Sequence, residues 1–138
     1  MTDDEQAELY TSAVTLAQNH PARFTDEDEG IAAAALTESG LTLLGVSIDA
    51  MVTSACLCAE TGPICEAHRT GDRIIASICV RWTESDGPMV LAACGVCQER
   101  LVMFGRDVMI GLPADDSRQF RFVPLADLRP SPWWDAWN

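Results

Sequence analysis

The feature that most restricts the fold is an alternation of strand-like and helix-like segments in the second half of the chain. Strand-like segments lie at 73–82, 90–93, 107–112 and 120–125, and apolar residues at helical spacing lie at 57–68 and 97–105. Such alternation is typical of a layered α/β fold. A chain of 138 residues suits one domain with its own core, so we expect a single domain over 1–138.

The first half of the chain predicts a helix, a loop and a β-hairpin, in that order. Residues 3–19 place apolar side chains at roughly helical spacing, and 20–30 form a polar stretch interrupted by proline. The apolar runs of 31–49 flank a Glu-Ser-Gly tripeptide, in which Gly40 can take the positive φ of a turn. Further along, Gly71 is placed to cap the helix that precedes it.

The charge of the chain limits the classes of partner that the protein can bind. Its formal net charge is -12, and acidic residues concentrate at 1–8 and 24–30. Such a surface repels phosphate backbones, so we expect a small-molecule partner and no nucleic-acid polymer. The amino terminus is acidic and polar, unlike a signal peptide, and no apolar run is long enough to span a membrane. We therefore expect a cytoplasmic protein without a membrane partner, whose six cysteines stay reduced.

Three cysteines occupy positions suited to a metal ion. Cys94 and Cys97 form a C-x-x-C at a predicted strand–helix junction, where the N–H groups of the helix start favour thiolates. Cys58 lies at the start of the helix predicted at 57–68. Three thiolates can hold zinc and leave its fourth position open, as in catalytic sites, whereas a structural site would need a fourth protein ligand. Candidates for that fourth ligand are Cys56, Cys65, His20 and His68.

A carboxylate close to these cysteines favours the catalytic interpretation. Glu60 lies two residues after Cys58 and can sit beside an open metal position without being a ligand. There it could take a proton from zinc-bound water and pass it on. Zinc deaminases share this arrangement, with a ligand two residues before a glutamate and a distant P-C-x-x-C, in which Ala93 stands here at the proline position.

Structural interpretations compete with these chemical ones. The three cysteines could instead be buried thiols, Cys79 is expected in the core, and Cys56 and Cys65 are expected to pack rather than to bind metal. Trp133 and Trp134 in the tail could form a lid over a bound base, or could anchor the tail to the core or to another subunit. The sequence leaves both interpretations of the tail open.

Three motifs together resemble the cytidine deaminase family, especially its small homo-oligomeric nucleoside branch. The run AAAALTESGLTLLGVSID looks like the family's paired strands, CAE like its ligand-and-glutamate motif, and CGVCQERL like C-G-x-C-R-Q-x-L. The cysteine of CAE follows the position of the family's asparagine by eleven residues, as in that branch. The resemblance implies a three-layer α/β/α sandwich around a five-stranded mixed sheet, assembled as a tetramer or dimer.

The resemblance also implies roles for individual residues. Zinc would be bound by Cys58, Cys94 and Cys97, and Glu60 would shuttle protons while zinc-bound hydroxide attacks the amino-bearing ring carbon. Substrate contacts would come from Ser47 and Asp49 to the sugar, from the backbone N–H of Ala59, and from the carbonyl of Ala93 to the exocyclic amino group.

Several positions depart from the family pattern. Thr61 and Gln98 replace arginines that offset the charge of the thiolates, and Arg100 is a candidate to compensate for them. Glu29 falls near the phenylalanine that stacks on the base in the family. Pro63 would sit a turn inside the predicted helix, where it removes a backbone donor. These changes alter the pocket and spare the implied chemistry.

The expected function is zinc-dependent deamination of an aminopyrimidine nucleoside, with cytidine or deoxycytidine as the default substrate. The tail ADLRPSPWWDAW resembles that of blasticidin S deaminases, and the acidic stretch TDEDEG (25–30) could receive a cationic arm. A modified or cationic cytosine nucleoside is therefore the first alternative substrate. The second alternative is a non-catalytic zinc module used for oligomerisation, which would have no use for Glu60.

Overall fold

A mixed β-sheet with helices on both faces forms the framework of the protein, whose computed structural model describes residues 1–23, 28–115 and 119–137. The helices are α1 (Asp3–Asn19), α2 (Thr61–Thr70), α3 (Gly95–Leu101) and α4 (Leu125–Leu128). The strands are β1 (Gly30–Thr37), β2 (Thr42–Val46), β3 (Ile74–Thr83), β4 (Gly87–Leu91), β5 (Met109–Pro113) and β6 (Phe120–Pro124). Short 3-10 turns lie at Thr53–Ala55, Val102–Phe104 and Trp133–Trp137. None of the described helices is long and apolar enough to cross a membrane.

Five strands follow one another across the sheet in the order β2-β1-β3-β5-β6. Neighbouring strands in this row are antiparallel except β3 and β5, which are parallel, so the sheet is mixed as expected. A further strand, β4, pairs with the second half of β3, whereas β5 pairs with Ala76 and Ser77 in its first half. The expected row of five strands is therefore confirmed, with β4 added beside β5 on the same edge of β3.

Apolar cores on both faces of the sheet make the fold three-layered. One core joins α1 to the sheet through Leu9, Ala13, Ala34, Ile78 and Val80. The other joins α2 and α3 to the opposite face through Ala35, Ile64, Leu101, Val108 and Ile110. Because side chains alternate along a strand, neighbouring alanines of β1 serve different cores. Their small size lets helices pack closely against both faces of this buried strand.

The start of α2 differs from the helix predicted at 57–68. The helix begins at Thr61, and Leu57 instead forms an isolated antiparallel bridge with Ile48. This bridge keeps the segment before the helix extended, and a helical spacing of apolar residues does not reveal it. Pro63 consequently lies in the first turn of α2, where a backbone N–H has no acceptor within the helix, so the expected cost of a proline inside the helix does not arise.

Other boundaries agree more closely with the sequence. The helix predicted at 3–19 is confirmed, and Gly40 has a φ of 92° in the hairpin turn. Gly71 ends α2 with a φ of 74°. The strand predicted at 90–93 begins earlier, at Gly87, because its pairing with β3 extends back to the turn.

A close contact between β2 and the segment leading into α2 depends on a glycine. A Cβ on Gly45 would lie 2.3 Å from the carbonyl oxygen of Ala59 and 2.5 Å from Cδ of Pro63. Real Cβ atoms do not approach other heavy atoms this closely. Gly45 therefore allows the backbone of β2 to lie directly against the residues on either side of Glu60.

We expect Gly45→Ala to lower the free energy of unfolding by about 1–3 kcal/mol, the usual cost of overpacking. Gly62→Ala is the matched control, because its Cβ would meet its nearest neighbour at an ordinary 3.7 Å and alanine is the better helix former. Urea unfolding of both variants measures the difference. A Gly45→Ala variant as stable as the parent would contradict the close contact.

Candidate active site

The starts of α2 and α3 meet beside the sheet and bring three cysteines together. Cys58 lies just before α2, Cys94 caps α3, and Cys97 lies in the first turn of α3. Their sulfur atoms all lie within 4.8 Å of one another, and those of Cys58 and Cys94 are 3.5 Å apart. The backbone N–H of Cys97 donates to Sγ of Cys94 over 3.5 Å. The first turn of α3 therefore holds two of the three sulfurs in place.

Three sulfurs at this spacing fit a tetrahedral metal ion. Zn–S bonds of about 2.3 Å separate the sulfurs of a tetrahedral site by about 3.8 Å. The 3.5 Å between Cys58 and Cys94 is close to that value. Within the described parts of the chain, no other group of His, Cys, Asp and Glu side chains is placed to hold an ion. The residues that were only candidates for the fourth ligand of a structural site lie outside the cluster: Cys56, Cys65, His20 and His68.

A buried carboxyl lies next to the three thiols. Glu60 immediately precedes the first residue of α2 and is 4% exposed. The thiol of Cys97 donates to Oε2 of Glu60 over 3.6 Å. Burial raises the pKa of Glu60, and the hydrogen bonds from its own backbone and from Cys97 only partly offset this effect. A raised pKa makes a carboxyl a stronger base towards the proton of a reacting water than an ordinary carboxylate is.

The three thiols differ in acidity because they differ in burial and in neighbours. Burial, followed by the charge of Glu60, raises the pKa of Cys97, and burial also raises the pKa of Cys58. Burial acts in the same direction on Cys94, but hydrogen bonds from the N–H groups at the start of α3 and from the thiols of Cys58 and Cys97 together outweigh it and lower the pKa of that thiol. Cys94 is therefore the thiol that ionises most readily to the form that binds metal.

A cavity of about 350 Å³ opens in front of these groups. Its lining includes Cys58, Glu60 and Cys94, together with Ser47 and Asp49. Apolar side chains supply much of the remaining wall: Ile31, Ile48, Leu57 and Leu91. A mostly apolar cavity of this size, with a few convergent polar groups, is typical of a small-molecule site.

Known proteins resemble this chain in both sequence and fold, although no protein-family model matches it. A crystal structure of the cytidine deaminase from Bacillus anthracis has a TM-score of 0.83 and 35% identity, covering 98% of this chain and 93% of that chain. The cytidine deaminase from Mycobacterium tuberculosis gives a TM-score of 0.73 and 27% identity, covering 96% of this chain and 98% of that chain. A Mycobacterium tuberculosis cytidine deaminase sequence is 32% identical over 102 residues, which cover 72% of this chain and 69% of the relative. The chain belongs to the cytidine deaminase family.

The two backbone groups that the family resemblance assigns to the substrate have different surroundings. Ala59 is buried and lines the cavity. Ala93 lies between the cavity-lining residues Ala92 and Cys94, and its carbonyl accepts a hydrogen bond of 2.8 Å from the side-chain amide of Gln98. This bond was not predicted from the sequence, because the family motif has an arginine at position 98 and a sequence pattern does not show where a side chain folds back.

The residues that replace or compensate for the family's arginines also take part in a contact between helices. The guanidinium of Arg100 donates to Oγ1 of Thr61 over 3.3 Å. This bond joins α3 to the first residue of α2. Arg100, the candidate to compensate for the missing arginines, is therefore hydrogen-bonded to the start of α2 through the hydroxyl of Thr61.

The tail tryptophans are placed against α3. The indole N–H of Trp133 donates to Glu99 over 2.7 Å, and Glu99 also pairs with Arg129. The guanidinium of Arg129 lies 5.2 Å from the ring centre of Trp134. Neither tryptophan is among the described residues that line the cavity. Within one chain, these contacts anchor the tail to the helix that carries Cys97.

The remaining cysteines agree only in part with the sequence analysis. Cys79 is buried as expected, and it also lines the cavity. Cys56 and Cys65 are exposed, so the expectation that they pack is wrong. Cys56 lies in the extended segment before α2 and lines the cavity, where its sulfur accepts the backbone N–H of Ala50 over 3.3 Å. Cys65 is exposed on the surface of α2.

An ion pair beside the cavity was not predicted. Glu29 lines the cavity and pairs with Arg81 of β3. It also borders a second cavity of about 370 Å³, which shares Ser47 and Asp49 with the first. From the sequence, strand alternation predicts only that Arg81 shares a face of β3 with every second residue, so it does not reveal the pair with Glu29. Residues 24–27, which include half of the acidic stretch expected to receive a cationic arm, lie outside the described residues.

In the metal-free protein, we expect Glu60→Gln to be more stable than the parent at pH 7, with the difference vanishing below pH 4.5. Burial raises the pKa of folded Glu60 above its ordinary value of 4.5. The stability contributed by the protonated carboxyl is therefore present below that value and is lost as pH rises through the folded pKa, by at most about 1.4 kcal/mol per pH unit.

Urea unfolding across this pH range measures the effect. Glu66→Gln is the control, because Glu66 is exposed and its hydrogen bond with Arg69 lowers its pKa, which reverses the sign of any pH effect. A Glu60→Gln variant whose stability follows that of the parent at all pH values would contradict a buried, high-pKa carboxyl.

Proposed function

We propose that this protein, as one domain of residues 1–138, hydrolytically deaminates cytidine or deoxycytidine, using a zinc ion held by Cys58, Cys94 and Cys97. The observation that carries the proposal is a buried carboxyl, Glu60, in contact with one of three clustered thiols at a cavity of nucleoside size. A non-catalytic zinc module gives no reason to keep an ionisable group buried there, since burying it disfavours its charged form.

Zinc supplies, when bound, a water molecule activated as a nucleophile at neutral pH. Glu60 faces the cavity and accepts the proton of the attacking water. It donates that proton to the ring nitrogen, accepts a second proton from the hydroxyl now on the ring carbon, and passes this one to the amino group, which leaves as ammonia. Each cycle consumes one water and replaces the amino group of the ring by a carbonyl. Glu60 ends the cycle in the protonation state in which it began.

The rest of the cavity supplies contacts that orient a nucleoside. Ser47 and Asp49 are hydrogen-bonding residues in its lining and take the hydroxyls of the sugar. The N–H of Ala59 and the carbonyl of Ala93 face the base, one as donor and the other as acceptor for the exocyclic amino group. No basic side chain is among the described lining residues, so a neutral nucleoside suits the cavity better than a phosphorylated one.

A modified or cationic cytosine nucleoside is the second candidate substrate. Glu29 and Asp49 bring carboxylates to the cavity wall, which favours a positively charged substituent. The ion pair between Glu29 and Arg81 reduces this preference, so the unmodified nucleosides stand first.

We further propose that the protein is a cytoplasmic homo-oligomer, a tetramer or a dimer. Ile48 and Leu57 line the cavity yet are 48% and 40% exposed, and nearby in the chain Met51 is 91% exposed and Val52 62%. A second copy packed on this apolar rim would remove it from water and help to close the cavity. Sedimentation analysis tests the association, and a monomer at all concentrations would rule it out. A reducing compartment keeps the cluster cysteines available for metal.

We expect Glu60→Ala to lower the rate of ammonia release from cytidine by about 10²- to 10⁴-fold, the range for loss of a general acid–base group. Its zinc content should equal that of the parent, because the three thiols are unchanged. Glu66→Ala, which removes an exposed carboxylate of α2, is the control and should retain full activity. Equal ammonia release by Glu60→Ala and the parent would refute the assigned role of Glu60.

A panel of nucleosides distinguishes the candidate substrates. We expect cytidine and deoxycytidine to be deaminated, as followed by the change in ultraviolet absorbance. Activity on a cytosine nucleoside with a cationic substituent, combined with none on the two unmodified nucleosides, would favour the second candidate. Zinc-loaded protein that deaminates no member of the panel would support the non-catalytic module.

A further inference from the structure

The second cavity, of about 370 Å³, adjoins the cavity in front of the cysteines. Its volume lies within the usual range of small-molecule sites, yet the proposed function assigns nothing to it. The segment 20–23 after α1 and Val46 of β2 form the part of its wall that the first cavity lacks. The two cavities share five lining residues: Glu29, Ile31, Ser47, Ile48 and Asp49.

Backbone contacts hold the walls of the second cavity in place. In the segment after α1, the N–H of Ala22 donates to the carbonyl of Glu29 over 2.9 Å. A Cβ on Gly30 would lie 1.9 Å from the carbonyl oxygen of Ala17, so only glycine lets β1 begin this close to the end of α1. After β2, the N–H of Ser47 donates to a carbonyl of β1 over 3.0 Å. The second cavity is therefore part of the folded framework.

The lining of the second cavity carries charges of both signs and much apolar surface. His20 and Arg23 are basic, whereas Glu29 and Asp49 are acidic, and Glu29 is paired with Arg81 of β3. A charged group of either sign would meet a like charge there, whereas an uncharged group would not. The apolar lining residues are Pro21, Ala22, Ile31, Val46 and Ile48. The second cavity therefore suits an uncharged occupant.

The sugar of a bound nucleoside would lie where the two cavities meet. In the proposed function Ser47 and Asp49 take the sugar hydroxyls, and both residues line both cavities. A substituent on a sugar oxygen can therefore extend into the second cavity while the base stays beside Glu60. Substitution removes the hydrogen of the sugar hydroxyl, but the oxygen can still accept a hydrogen bond from Ser47.

We propose that the second cavity is a subsite for an uncharged substituent on a sugar oxygen, so that the protein deaminates sugar-extended cytosine nucleosides as well as cytidine. This inference rests on the proposed function and names a wider substrate class for the same site. The observation that carries it is the sharing of Ser47 and Asp49 by two adjoining cavities.

The first test compares cytidine with its 2′-O-, 3′-O- and 5′-O-benzyl ethers, which are uncharged and do not migrate between sugar oxygens. The change in ultraviolet absorbance with zinc-loaded protein gives kcat/KM for each compound. We expect at least one ether to have a kcat/KM within about tenfold of that of cytidine, because an open apolar pocket does not strongly reject an added group. Rejection of all three ethers would overturn the subsite.

Variants that fill the second cavity show whether the benzyl group occupies it. Val46→Trp adds bulk from β2, and Ala22→Trp adds it from the segment after α1. We expect each to lower the ratio of kcat/KM for the accepted ether to that for cytidine by at least about tenfold, because overpacking is costly. An unchanged ratio in both variants would place the benzyl group elsewhere and overturn the proposal.

Leu44→Trp is the matched control for added bulk. Leu44 shares a face of β2 with Val46, but it is not among the described residues that line either cavity. We expect this variant to keep the ratio of the parent. A ratio lowered as much as in Val46→Trp would contradict a specific effect of filling the second cavity.

Charged ethers test the class of substituent. Carboxybenzyl and aminomethylbenzyl ethers, made at the accepted sugar oxygen, should both have a lower kcat/KM than the benzyl ether. A higher kcat/KM for either charged ether would overturn the assignment of an uncharged occupant.

The same assays separate failure of the subsite from failure of the proposed function. Zinc-loaded protein that does not deaminate cytidine contradicts the proposed function, and the subsite falls with it. Protein that deaminates cytidine but none of the benzyl ethers contradicts the subsite alone.

Discussion

The site depends on direct contact between the backbone of β2 and the turn that contains Glu60. No side chain separates Gly45 from the carbonyl of Ala59, so the turn lies directly against the hairpin. From this position Cys58 projects towards the start of α3, and Glu60 is buried beside Cys97. Helix α2 alone does not fix the positions of Cys58 and Glu60, because both residues precede its first residue.

The site residues were more predictable from sequence than the contacts among them. Cys94 and Cys97 are spaced by one helical turn at a strand–helix junction, and the spacing of Cys58 and Glu60 is equally local. The bridge between Ile48 and Leu57 does not follow from a local pattern, and because of it α2 begins later in the chain than predicted. The bond from Gln98 to Ala93 also escaped prediction, because it depends on the rotamer of a side chain rather than on a residue pattern.

Burial and neighbouring charges disfavour the ionised forms of Glu60 and Cys97 in the metal-free cluster. Burial raises the pKa of Glu60, and the charge of that carboxyl adds to the burial that raises the pKa of Cys97. A divalent cation counteracts both effects, because its positive charge stabilises the thiolates and the nearby carboxylate. Metal binding and folding are therefore linked in this chain, and the protons released by the thiols make that link depend on pH.

The tail and the metal-binding cluster share one short helix. Glu99 holds Arg129 and Trp133 only two residues beyond Cys97, so the last described part of the chain is attached close to a cluster cysteine. A purification tag or fusion partner joined after the tail would therefore disturb α3, the helix whose start presents two sulfurs of the cluster. The amino terminus, which begins the separate α1 on the opposite face of the sheet, is the safer place for such an extension.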